Sequence, residues 1–449
     1  MASEAGASYV HPIAELRRAS LARLARLILS EDPMVEHAVA PATPGVAPPR
    51  SGVRPGGAEF IALIASLMAL NALSIDIMLP ALLEIGDALG VENENDSQLV
   101  VFSYLAGFGL AQLAFGPLTD RYGRRFVLAI SLAGYAVMAF FCLLAPTFET
   151  LLAARALQGV AAAGSRVISV SIVRDVVSGR AMARIMSIAV MVFMAAPVLA
   201  PAMGQAVLAF APWRWLFVVL MCAGVATVTW VWLRLPETLP AERRCPIDIK
   251  TILRNYGEVF RSRIALGYTV ASAAIYGGLF AYVGSAEQVF VQSFQSGTKF
   301  ALFFAVSALG MALSAFLNSK LVERYGMRRI SHGALCAMLL VTVFHFLIVQ
   351  FAGPSVGLFV AMCTLQFFAF GLIGPNFNAL AMEPLGRVAG SASAAYGFAT
   401  TTFSAGLGAI VGRAYDGTIG PLLTGFVVFS AASLVAVLLT ERGQLFNSR

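Results

Sequence analysis

GPLTDRYGRR, residues 116–125, returns in altered form as KLVERYGMRR, residues 320–329. Leu118, Asp120, Arg121, Tyr122, Gly123 and Arg125 align with Leu321, Glu323, Arg324, Tyr325, Gly326 and Arg328, each 203 residues further on. Each copy follows the second long apolar run of its half of the chain, and an equivalent placement of that kind is the mark of a duplicated unit. Two such units, each binding cargo at their shared interface and rocking about it, are how transporters with parallel repeats are built.

The rest of the chain agrees. Of its 449 residues 59% are hydrophobic and only 12% are charged, against roughly 25% charged in soluble domains. A chain so poor in charge cannot solvate a globular surface. Apolar runs near the ~20 residues that a bilayer helix needs fall at 60–83, 97–118, 126–145, 150–172, 185–208, 214–234, 264–287, 300–319, 330–351, 356–380, 389–411 and 420–440. The expected fold is an all-α polytopic membrane protein, with twelve transmembrane helices in two six-helix pseudo-symmetric bundles. The expected divisions are a tail over 1–59, a first bundle over 60–234, a middle loop over 235–263, a second bundle over 264–440 and a short tail over 441–449. No loop is long enough for a soluble catalytic or signalling domain.

A net charge of +7 invites a nucleic-acid reading, but the position of the charges argues otherwise. With the N-terminus cytoplasmic, 26 of the 31 basic residues fall on that side, while the first loop opposite carries Glu84, Asp87, Glu92, Glu94 and Asp96. That is a positive-inside pattern, with both termini cytoplasmic and the chain in the inner (plasma) membrane. In the tail, residues 13–30 set Leu and Ile at helical spacing opposite arginines, as an interfacial amphipathic helix does. Residues 40–57, rich in Pro, Gly and Ala, read as a linker. The first apolar run is too short and too charged for a signal peptide. Cys142, Cys222, Cys245, Cys336 and Cys363 stand singly with no metal spacing, and the four histidines form no ligand cluster, so neither a disulfide framework nor a metal site is expected.

The repeated loop also has a mechanical reading. Gly116 and Gly123 permit a sharp reversal, and Asp120 can meet the positive N-terminus of a neighbouring helix. Arg121, Arg124 and Arg125 anchor in headgroups and bridge to helix ends. Together with Glu323, Arg324, Gly326 and Arg328 they form a candidate latch that breaks as the halves rock. A purely topogenic basic turn is the alternative.

GPLTDRYGRR closely resembles the signature loop of the major facilitator superfamily, and RALQG (155–159) resembles that superfamily's fourth-span motif. IDIMLP (75–80), IVRD (172–175), APVLAPAMG (196–204), WRWLF (213–217), LPETLP (235–240) and PNFNALAMEPLGRVAGSASAAYG (375–397) narrow the resemblance to the Bcr/CflA branch of proton-coupled drug exporters. The likeness covers residues 60 to 440. It implies that Asp76 is a proton- and cargo-sensitive acid and that Arg155 couples protonation to conformation. It also links Pro197, Pro201 and Gly204 in the fifth span to exchange. Two positions depart from the family pattern: Gln205 stands where a second glycine is usual, and Arg166 stands inside span 4 where a small or apolar residue is expected.

The residues support these roles on their own terms. Ionisable groups within a bilayer are costly and default to function. Asp76 lies two-thirds along span 1 before Pro80; a polar residue at the outer interface is the alternative reading. Arg155 lies at similar depth and can pair with Asp76 directly or through water, or can instead satisfy helix-end carbonyls. Gln158 extends its polar face. Pro197 and Pro201 bend span 5 and Gly204 allows close approach. Asn71, Tyr104, Gln112, Gln158, Met191, Met194, Tyr276, Tyr282, Asn376 and Asn378, with Gln366 and Tyr396, offer amide, aromatic and sulfur surface to a cargo, though packing between helices would use the same groups. Glu287 and His345 are lesser proton candidates.

The expected activity is proton-coupled antiport of small amphiphilic drugs, bicyclomycin- or chloramphenicol-like, by alternating access. A proton-coupled transporter of an amino acid or short peptide is the alternative. The expected partners are a small-molecule cargo, protons and lipid, with no nucleic acid. The chain is expected to act as a monomer, to need no cofactor beyond the proton gradient, and not to be an enzyme.

Overall fold

The computed structural model describes residue 53 and residues 56–446. The helix expected over 13–30 and most of the linker lie outside the described residues. Among those described there is no strand, and twelve helices are long and apolar enough to span a membrane.

Span 1 is divided. Helix α1 (Ala58–Asp76) ends at Asp76, a 3₁₀ turn covers Leu79–Ala81, and α2 (Leu82–Ala88) completes the crossing. Pro80 explains the break: it has no N–H for the Asp76 carbonyl four residues back, and its ring crowds that position. The other first-bundle spans are α3 (Leu99–Tyr122), α4 (Arg124–Leu144), α5 (Phe148–Val176), α6 (Gly179–Leu208) and α7 (Arg214–Arg234). A surface helix, α8 (Ile249–Arg261), lies within the middle loop. The second bundle comprises α9 (Arg263–Gln288), α10 (Phe300–Tyr325), α11 (Met327–Ala352), α12 (Val356–Met382), α13 (Ala389–Arg413) and α14 (Gly420–Thr440).

The duplication read from two loops extends to the packing. In the first bundle α1 lies on α6, α3 on α5 and α4 on α7; in the second α9 lies on α13, α10 on α12 and α11 on α14. The seams between bundles, α3 with α13 and α6 with α10, obey the same correspondence. Close crossings rest on small residues, as membrane helices require. At the α3–α5 crossing a Cβ on Gly159 would collide with the Tyr104 carbonyl, and one on Gly107 with the Ala156 carbonyl.

One face carries Gly123, Gly326 and the middle loop (the basic face), and the other carries the 84–96 loop (the acidic face). The bundles meet at the acidic face. Arg413 grips Asp96 with two bonds of 2.6 and 3.1 Å. Asn95 donates to the Arg413 and Tyr415 carbonyls and accepts from Gln288, which also accepts from Gln98. Glu287 accepts from the Leu83 N–H at 3.0 Å, and Gln205 donates to the Gly297 carbonyl at 3.1 Å. Deeper in, the Phe102 ring lies where Cβ atoms on Gly284 and Gly408 would sit. The α3–α13 seam runs down to Gln112, which donates to the Gly397 carbonyl and Thr401 hydroxyl. One turn further, the Cβ position of Gly116 has no atom within 4 Å. From there α3 and α13 are linked through α8: Tyr256 donates to the Leu113 carbonyl at 2.9 Å while packing with Val259 against Leu385, Val388, Ala392 and Ala395. That carbonyl is free because Pro117, four residues on, has no N–H to give it.

Two expectations need correction. Gly116 makes no reversal, because α3 runs on as helix to Tyr122; the turn is the single residue Gly123. The middle loop is partly helical, its α8 bridging the bundles.

Candidate functional site

A polar core sits inside the first bundle near the acidic face. Asn71 donates to the Ser165 hydroxyl at 2.8 Å and accepts from the Tyr104 hydroxyl at 3.2 Å. The Ser74 hydroxyl meets that of Tyr135 at 2.6 Å. Arg155, fully buried, ties these helices together. Its Nε donates to the Val100 carbonyl at 3.1 Å, one terminal nitrogen to Gln158 at 2.8 Å and the other to the Ser74 carbonyl at 2.9 Å. The guanidinium lies over the Tyr104 ring at 4.6 Å. Since α1 ends at Asp76, the Ser74 carbonyl belongs to the last turn and lacks an ordinary helical donor; Arg155 fills that need.

Asp76 is 5% exposed, and its carboxylate has no hydrogen bond or ion pair among the described residues. A direct pairing with Arg155 is therefore absent: the guanidinium is committed to the Val100 and Ser74 carbonyls and to Gln158. Arg155 nonetheless grips the helix two residues from Asp76, so a change at the carboxylate bears on the turn that Arg155 holds. On the far side of the break, α6 comes so close that a Cβ on Gly204 would strike the Ile77 carbonyl and lie 2.8 Å from the Pro80 ring. Pro197 and Pro201 lie within α6 without ending it.

The other candidates divide by position. Asn71, Tyr104 and Gln158 are buried in the core just described, so in this conformation they hold helices together and face no open space; Gln112 likewise belongs to the seam. Tyr282 is buried in an aromatic cluster, its ring 4.9 Å from Phe367 and 5.4 Å from Phe304. Asn376 donates to Asn318 and to the Leu372 carbonyl. Asn378 and Met191 are exposed, and the Met194 side chain lies outside those described. Tyr276 is half-buried with its ring edge on Phe370, and Tyr396, on the neighbouring helix, donates to Ser272 at 2.9 Å. His345 is buried with neither ring nitrogen bonded.

At the basic face the two repeated loops are charge clusters of one design. Gly123 and Gly326 turn at φ +96° and +80°, values open to glycine alone at their extended ψ. Arg124 pairs with Asp120 at 2.7 Å and with Asp175, at the end of α5, at 3.0 Å. Glu237 accepts from the Arg124 and Arg125 N–H groups, and Arg125 lies over Trp232. In the second bundle Arg328 pairs with Glu383, beyond α12, and with Glu441, beyond α14, each at 3.0 Å. Burial works against the charge on Glu441, but the Tyr268 hydroxyl and Arg328 outweigh it and hold the carboxyl below its usual range. Arg121 and Arg324 extend over the neighbouring tyrosines Tyr122 and Tyr325, and Glu323 is exposed. Asp120 engages its own loop's arginine and not a neighbouring helix N-terminus. The acidic partners Asp175, Glu237, Glu383 and Glu441 were missed as site residues, although Asp175, Glu237 and Glu383 stand inside IVRD, LPETLP and the 375–397 stretch.

Two matching six-helix bundles that meet at one face are the architecture of a membrane transporter built from parallel repeats. The Major Facilitator Superfamily profile matches residues 64–409. The chain belongs to that superfamily. It is 34% identical over 356 residues to the uncharacterized MFS-type transporter YdgK of Bacillus subtilis, covering 76% of this chain and 86% of that one. It is 28% identical over 376 residues to the bicyclomycin resistance protein homolog of Haemophilus influenzae, covering 81% and 91%. A structure of the Escherichia coli xylose transporter XylE, in a partially occluded inward open conformation, superposes with a TM-score of 0.66 at 12% identity over 86% of this chain and 97% of that one. These relatives and structural neighbours are transporters, not enzymes.

Proposed function

We propose that the chain is a proton-coupled antiporter that exports small amphiphilic drugs, of the bicyclomycin or chloramphenicol kind, across the inner membrane. The observation that carries the reading is Asp76: a buried carboxylate without a partner among the described residues, at the break of a spanning helix, two residues from the turn held by Arg155. A carboxylate so placed exchanges its proton with whichever side it is opened to, and its charge acts on the break between α1 and α2. The positive-inside distribution supports cytoplasmic termini, which makes the basic face the cytoplasmic one and the conformation described here inward-open.

In the proposed cycle cargo enters from the basic face and displaces the proton of Asp76. The bundles then rock, the acidic-face seam opens, cargo leaves and Asp76 is reprotonated from outside. No cofactor takes part, and a single copy suffices because both bundles lie in one chain. Support for a drug as cargo comes from the resistance-protein relative. The test is proton movement in proteoliposomes across an antibiotic panel. Chloramphenicol-type or bicyclomycin-type compounds should each drive counter-movement of protons. Proton movement driven instead by amino acids or short peptides, with antibiotics inert, refutes the drug assignment.

A further inference from the structure

Arg166 has no role in the mechanism so far. It lies ten residues, roughly 15 Å, from the basic-face end of α5 at Val176, well inside the span. Its side chain is exposed, and no described residue gives its guanidinium a hydrogen bond or an ion pair. Its direction follows from helix geometry. Eleven residues make three turns with about 20° left over, so Arg166 lies on the same face of α5 as Arg155, which points between α1 and α3. At the depth of Arg155 that face is sealed. At the depth of Arg166 it looks across to the other bundle, with Tyr276 on α9 and Tyr396 on α13 within electrostatic range of the guanidinium. The guanidinium therefore stands in the opening between the bundles and not against lipid.

An unpaired cation inside a span is costly unless it faces water or a ligand. A guanidinium offers five donors in a fork that fits a carboxylate, and it is the most weakly hydrated of the protein cations. Tyr276 opposite, half-buried, adds a hydroxyl for an anionic oxygen and a ring for an apolar body. We infer that Arg166 is the anion-binding group of the cargo site, so that this chain prefers amphiphiles bearing a carboxylate or a similarly compact acid to neutral ones of the same shape. The inference rests on the reading of the chain as an exporter with its cargo site between the bundles.

The test uses the full chain in lipid nanodiscs and two fluorescent probes alike in their apolar part, pyrenebutyrate and uncharged pyrenebutanol, with empty nanodiscs as blank. The parent should bind the acid at least tenfold more tightly than the alcohol. Arg166→Gln should erase that difference by weakening the acid alone, and Arg166→Lys should keep part of it. Equal affinities in the parent, no binding of either probe, or a preference that survives Arg166→Gln in a monodisperse preparation would each overturn the inference. The parent comparison needs no variant and so does not depend on one folding. Chloramphenicol-driven proton movement without an acid preference sinks this inference alone; an Arg166-dependent preference without proton movement sinks the proton-coupled export and leaves the anion site standing.

Discussion

Gly412 on α13 is the most direct handle on the seam between the bundles. The three atoms nearest a Cβ placed there all belong to the side-chain amide of Gln98, on the other bundle, with its Nε2 at 2.6 Å and the other two closer still. Gln98 is 2% exposed and so has little room to retreat. In Gly412→Ala its amide must give up the 3.2 Å bond to Gln288, a loss of about 1 kcal/mol. Crowding a filled seam adds ~1 kcal/mol or more. The helix-propensity gain of alanine over glycine, about 1 kcal/mol, applies whichever face is open and cancels. The conformation closed at the acidic face should therefore lose ~2 kcal/mol, roughly a 30-fold change in the ratio of the two conformations. Spin labels at Asp87→Cys and Thr418→Cys, both exposed and one on each bundle, report the separation by double electron–electron resonance once the exposed Cys222 and Cys245 are replaced by serine. Gly412→Ala should move the population to longer distances. Gly406→Ala on the same helix, with nothing within 4 Å of its Cβ, should not. An unchanged distribution in Gly412→Ala would refute the identification of this seam as the closed gate.

Three further outcomes follow from the same geometry. Gly123→Ala and Gly326→Ala both force alanine into a glycine-only backbone region at ~1–3 kcal/mol, but only at Gly123 does the new Cβ also meet Glu237 and Arg244; thermal unfolding should show the greater loss there. For Glu441, the lowered carboxyl titration means that its stabilisation is complete above the unfolded-state value near 4 and is lost as pH falls through the folded-state value. Glu441→Gln should thus reduce stability at pH 7 by the worth of a charged hydrogen bond, about 2 kcal/mol, seen as a lower melting temperature whose gap to the parent narrows below pH 4; a gap constant with pH contradicts the ion pair. Arg155→Met strands the Ser74 carbonyl at ~1–3 kcal/mol, and Arg155→Lys, a point charge without the fork, should recover only part of the loss in melting temperature.

Where the chain is uniformly apolar, its helix bounds could be read directly: 214–234 and 420–440 are the spans observed. Where helices end in charge, hydropathy stopped short. Span 8, read as 300–319, runs helical to Tyr325 because Lys320, Glu323 and Arg324 lie in water at its end, where charge does not oppose helix. The same effect concealed the single-residue turn at Gly123. Asp76 could be singled out because a carboxylate in an apolar run is conspicuous in one dimension. Which carbonyls Arg155 holds could not be read, because a backbone carbonyl has no letter in the sequence and the Val100 and Ser74 oxygens lie 55 and 81 residues away. The acidic partners Asp175, Glu237, Glu383 and Glu441 lie some 50 to 110 residues from the arginines they hold, and only folding reveals them. The departures at Arg166 and Gln205 were visible as departures; that one crosses the seam and the other faces the opening needed three dimensions.

The central claim is that Asp76 carries the proton exchanged for cargo. The measurement that tests it most directly compares two modes of chloramphenicol movement in proteoliposomes bearing the parent or Asp76→Asn: counterflow without a pH gradient, and uphill accumulation driven by one. An asparagine cannot release a proton, so Asp76→Asn should keep counterflow and lose gradient-driven accumulation. Accumulation at the parent's level in Asp76→Asn would contradict the account.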